Sequence, residues 1–123
     1  MYRVSVELGF DAAHYLRGYR GKCEALHGHS FRVMATVEAA SLDEIGLAYD
    51  FTRLKQYLRE ILGRFDHTCL NDSPPFDRIN PSSENIAAII HQELSGRLTE
   101  EPVKLAAIEV WESPTTHITY QPD

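Results

Sequence analysis

The chain has 123 residues, with 12 basic and 18 acidic side chains and a net charge of −6. Hydrophobic residues make up 43% and charged residues 24%, the balance of one globular domain spanning 1–123. That excludes a collagen, a coiled coil, a disordered tail and a multidomain enzyme.

A phosphate-backbone binder carries a basic excess or stripe. Here the only basic cluster is Arg17, Arg20 and Lys22, so no nucleic acid is expected as partner. The longest apolar run, Ile86 to Ile90, is far short of the roughly 18 residues of a membrane span. The N-terminus alternates apolar and polar residues and lacks the basic and apolar regions of a signal peptide. Cys23 and Cys69 are too few for a disulfide framework, so the expectation is reduced thiols in a cytoplasmic protein.

Tyr2 to Phe10 reads as a strand, with Tyr2, Val4, Val6, Leu8 and Phe10 on one face. A glycine-containing loop follows. The next strand spans His29 to Ala39, with Phe31, Val33, Ala35 and Val37 on one face. Helical period begins after Asp50, a natural N-cap, and runs through Phe51, Leu54, Leu58, Ile61 and Leu62 to Gly63. A loop from Asp66 to Pro81 holds the breaker cluster Asn71-Asp72-Ser73-Pro74-Pro75. A second helix opens at Ser82 or Ser83 and carries Ile86, Ile89, Ile90, Leu94 and Leu98. Val103 to Glu112 and His117 to Gln121 complete the set as strands.

The ββααββ order predicts an α+β fold: an antiparallel four-stranded sheet with two helices on one face. Strand alternation puts Ala106, Ile108 and Val110 on one side of the third strand and Val103, Leu105, Ala107 and Trp111 on the other. A sheet with an apolar second face and bare edges finds partners, so a homo-oligomer is expected.

His27-Gly28-His29 is the first chemical signal. In extended chain, side chains two apart point the same way, so both imidazoles can grip one ion. His14, in the loop leaving the first strand, approaches them if the first two strands pair. Three histidines with an open fourth position form a catalytic zinc arrangement, although neutral imidazole suits other transition ions too. Ordinary surface and core histidines are the bland alternative.

Cys23 precedes His27 by four residues, and a thiol near a cation becomes a thiolate near neutrality. It is a candidate base or nucleophile, or else a small buried side chain like Cys69. Asp66-His67 pairs a carboxylate with a histidine it can orient, or else closes a helix C-terminus. Glu112 ends the third strand, where a carboxylate can offer two parallel acceptors to a guanidine-like edge, and Glu109 lies three residues earlier on the opposite face; the bland alternative for each is a solvated strand residue.

The pieces Phe10-Asp11-Ala12-Ala13-His14, Cys23-Glu24-Ala25-Leu26-His27-Gly28-His29-Ser30-Phe31, Gly46 to Asp50-Phe51, Asp66-His67 with Leu70-Asn71-Asp72, Pro81-Ser82-Ser83-Glu84-Asn85 and Trp111-Glu112 occur in one order. Together they resemble the 6-pyruvoyl-tetrahydropterin synthase family over about Val4 to Tyr120. Three residues between the cysteine and His-Gly-His resemble the bacterial branch that forms 6-carboxy-5,6,7,8-tetrahydropterin for the queuosine (7-deazaguanine) pathway. Leu26 stands where another branch has a catalytic glutamate.

The resemblance implies a tunnelling fold whose sheets join into an oligomeric barrel, commonly a homohexamer with active sites between subunits. It implies zinc on His14, His27 and His29, Cys23 as proton-abstracting base, and Asp66 with His67 as an acid–base pair. It implies that Glu112 anchors the 2-amino and ring N–H edge of the pterin. The implied substrate is the small molecule 7,8-dihydroneopterin triphosphate, cleaved with release of acetaldehyde and triphosphate. Charge alone suggests Arg17, Arg20 and Lys22 for the triphosphate. The alternatives are the pyruvoyl-forming reaction, without carbon loss, and a non-catalytic metal-binding assembly module.

Overall fold

The computed structural model describes residues 1–21 and 24–123. Strand β1 (Tyr2–His14) pairs antiparallel with β2 (His27–Ala39) along its whole length, from Tyr2 opposite Ala39 to His14 opposite His27. Helix α1 (Phe51–Leu62) follows, then the two-residue strand β3 (Thr68–Cys69) and a 3-10 turn at Leu70–Asp72. Helix α2 (Ser83–Arg97) leads to β4 (Lys104–Ser113) and β5 (Thr116–Tyr120). The sheet order is β3-β1-β2-β4-β5. The expected four strands are present, and β3 adds a short fifth, parallel to β1 inside the predicted loop.

Capping fixes both helix starts. Asp50 accepts the Thr52 N–H at 2.9 Å, and Ser82 Oγ accepts the Asn85 N–H at 3.1 Å. Helix α1 packs on β1, and α2 packs on β4 and β5, so both cover one face of the sheet. Between the layers lie Phe10, Phe31, Leu54, Leu58, Ile86 and Ile90, each at most 3% exposed. Phe51, counted in the apolar stripe, instead projects into solvent at the first position of α1.

Two departures from simple alternation matter. Strand β1 runs four residues beyond Phe10, so His14 sits in the sheet and not in a loop. Strand β4 shifts register: Ala107 faces Thr36 and Leu105 faces Val37, leaving Ala106 as the extra residue of a bulge. The bulge returns Leu105 to the helix side with Ile108 and Val110, where all three join the core. The helix-free face is accordingly less apolar than expected. It carries the ion pairs Arg3–Glu38 and Arg32–Glu7, both at 2.9 Å.

Candidate active site

Where β1 ends and β2 begins, the ladder sets His14 opposite His27 and Ala12 opposite His29. Pleating turns His14, His27 and His29 to the same face as Phe10 and Phe31. Their ring centroids lie 4.6, 4.7 and 5.1 Å apart, and one ligand atom from each falls within 4.8 Å of the others. Sequence spacing and sheet register thus bring the three predicted ligands together.

The rings are already oriented. His14 Nδ1 donates to the carbonyl of Pro81 at 2.7 Å, and His27 Nδ1 donates to Ala25 O at 2.7 Å. With Nδ1 committed to a carbonyl, Nε2 is the nitrogen that each ring can offer a metal. His14 is 1% exposed, and its Nε2 is buried without a hydrogen-bond partner. A buried, unpartnered nitrogen costs free energy unless something binds it. Burial pushes the His29 pKa down, with Glu112 opposing, which favours the neutral form that ligates. These donors fit a zinc-type ion with room for a further ligand.

The residues after His14 are stitched to the chain before α2. The Asn71 amide accepts from Tyr15 N and donates to Tyr15 O, both at 3.0 Å. Asn80 does the same for Arg17 N and O, both at 2.9 Å. The side-chain amides continue, in effect, the hydrogen-bond ladder that β1 has left. Neither was singled out as functional from sequence, because an asparagine in a breaker cluster (Asn71) or directly before a proline (Asn80) reads as turn chemistry. Arg17 directs its guanidinium to the carbonyls of Phe76 (2.9 Å), Asn71 and Ile79 (both 3.4 Å). It holds this loop together.

Asp66 and His67 do form a pair. His67 Nδ1 lies 3.0 Å from Asp66 Oδ1, which also accepts the Asp11 N–H at 2.9 Å. That backbone bond is the main cause of the Asp66 carboxyl lying below its ordinary pKa. His67 has φ +60°, a left-handed conformation unusual for a residue with a Cβ, and its N–H donates to Asp11 O at 2.6 Å. The strained backbone leaves its ring 76% exposed in a cleft of about 560 Å³ that His29 also lines. The side chain of Asp11, also in this cleft, has a ligand atom within 4.8 Å of those of Asp66 and His67.

A second cleft, of about 400 Å³, lies on the other side of His29 and is lined by Arg32, Trp111 and Glu112. Glu112 Oε1 stands 3.3 Å from His14 Nε2 and 3.9 Å from His29 Nε2. The His14 contact holds its carboxyl below the usual range, against the opposing effect of partial burial. Glu84, in the first turn of α2, shares a further cleft with Glu112 and Ser83. Cys69 is half-buried on β3 opposite Ala13. Cys23 and Lys22 lie outside the described residues.

A sequence model of the family described as 6-pyruvoyl tetrahydropterin synthase matches residues 3–123. The chain is 38% identical to a 6-carboxy-5,6,7,8-tetrahydropterin synthase of Synechocystis, covering 98% of this chain and 93% of that protein. A protein of the same name from Bacillus subtilis is 31% identical, with 98% and 86% covered. Among solved structures, the 6-pyruvoyl tetrahydropterin synthase of Caenorhabditis elegans superposes with TM-score 0.82 at 25% identity, covering 100% of this chain and 98% of that one. An uncharacterized Wolinella succinogenes protein, WS1659, has TM-score 0.84 at 20% identity over 99% of this chain and 98% of its own.

Proposed function

The chain belongs to the 6-pyruvoyl tetrahydropterin synthase family, and on that premise we propose that it is a zinc-dependent lyase converting 7,8-dihydroneopterin triphosphate to 6-carboxy-5,6,7,8-tetrahydropterin. Acetaldehyde and triphosphate leave, and the product serves 7-deazaguanine (queuosine) biosynthesis in the cytoplasm. The observation that carries the reading is the convergence of His14, His27 and His29 beside a cleft that also reaches His67. The names of the full-length relatives support the carboxy-forming branch.

A zinc ion on the three histidines supplies Lewis acidity, polarising side-chain oxygens of the substrate and stabilising negative charge on them. The rest falls to the protein. Cys23, as a thiolate, takes the proton from the side-chain carbon next to the ring. His67 moves a proton on the other side, its ring held by Asp66, which in turn is fixed by the Asp11 N–H. Glu112 offers two parallel acceptors to the amino and ring N–H edge of the pterin, and Glu84 shares a cleft with it. The working unit is a homohexamer with sites between subunits. The sheet edges at β3 and β5 support this, since exposed edges pair.

Cys23→Ala tests the assignment of the base. The variant is expected to fold, to load metal at the wild-type ratio by elemental analysis, and to lose turnover of dihydroneopterin triphosphate. Full activity would remove the base.

A further inference from the structure

Gly28 lies between His27 and His29 with neither of the usual reasons for a glycine. It takes no positive φ, and a Cβ built on it would meet only Ala12 O, at an ordinary 3.8 Å. An alanine would fit, and glycine is the less stable choice inside a strand. Glycine in a strand marks a place where a ligand or another backbone comes close. Here that place is where two clefts meet, for both are lined by Gly28, His29 and Ser30. Beyond those residues one cleft continues to Trp111 and Glu112, the other to Asp11, Ala13 and His67. Strand β2 lies between β1 and β4, so a molecule touching both Glu112 and His67 crosses it at residues 28–30. Gly28 is exposed there, and the residue paired with it on β1 is Ala13, so both strands are low at the crossing.

We propose that Gly28 is a specificity-determining residue: its missing side chain joins the two clefts into one groove for a planar heterocycle with a hydroxylated tail. The ring lies at Glu112 and the tail crosses β2 toward His67. The inference rests on the reading of Glu112 and His67 as substrate contacts, and it deepens that reading. A side chain at position 28 would stand in the path of the tail and leave the ring's place open.

The test compares wild type, Gly28→Ala and Gly28→Val as metal-loaded full-length proteins. Two fluorescent probes are titrated at equilibrium: neopterin, which carries a trihydroxypropyl tail, and 6-methylpterin, which keeps the ring without it. Expected is neopterin binding weakened about threefold by alanine and at least about tenfold by valine, with 6-methylpterin bound alike by all three. In turnover of 7,8-dihydroneopterin triphosphate, KM should rise in the same order and kcat change less. Circular dichroism, elemental analysis and sedimentation should show wild-type fold, metal ratio and assembly, and alanine carries the test if valine does not fold. Unchanged neopterin affinity, or equal weakening of both probes, would overturn the proposal. So would lost metal or altered sedimentation, which would assign the bare position to the histidines or to the packing of a second copy. A wild type that turns nothing over, yet binds neopterin with the expected dependence on position 28, would overturn the proposed reaction and leave the groove standing.

Discussion

Both nitrogens of His14 are accounted for at once: Nδ1 donates to Pro81, and Nε2 points, unpartnered and buried, at the place where His29 and Glu112 converge. Holding an imidazole in one tautomer removes the need to reorder it when an ion arrives. His27 is held in the same way by Ala25 O. His27→Ala is therefore expected to lower bound metal well below one per chain by elemental analysis, and unchanged metal content would refute the ligand set. Asp66 makes a separate prediction about pH. Its folded pKa is depressed, so what it contributes to stability is present above the ordinary carboxylate range of the unfolded chain. That contribution is lost as pH falls through the lower folded value. An NMR titration of the Asp66 carboxyl should give a midpoint below the ordinary aspartate value. An ordinary midpoint would mean that the Asp11 N–H bond is not kept in solution.

Among the elements, what the sequence made legible was what repeats. Alternation located β1 and β2, the 3.6 period located both helices, and Asp50 and Ser82 announced their starts. Features made by single residues escaped. Ala12 and Ala13 have little strand propensity, so the last residues of β1 were visible only once β2 supplied a partner. The Ala106 bulge inverts the phase of one strand without any glycine or proline to mark it. Seven candidate residues were named from the sequence, of which Cys23 lies outside the described residues. The amide clamps of Asn71 and Asn80 were not, because their partners are backbone groups more than fifty positions away. Asn71→Leu deletes both partners of Tyr15 and is expected to cost about 1–3 kcal/mol by urea denaturation. Because Tyr15 follows His14 directly, metal affinity should weaken as well. Wild-type affinity in a destabilised variant would show that the clamp serves stability alone.

For the molecule as a whole, the bulge bears on assembly. The apolar second face expected of β4 is replaced by ion pairs and by Arg32 lying 4.3 Å over the Trp111 ring. In the proposed hexamer, association would fall to the strand edges at β3 and β5, where unpaired backbone groups offer hydrogen bonds. Sedimentation at micromolar concentration should find an oligomer, with the hexamer as the expected species. A monomer would leave intersubunit sites without a basis. All of this serves one reaction, and its product is the direct witness. The metal-loaded protein incubated with 7,8-dihydroneopterin triphosphate should yield 6-carboxy-5,6,7,8-tetrahydropterin by mass, with one acetaldehyde released per turnover. A pyruvoyl product without acetaldehyde, or unchanged substrate, would contradict the account.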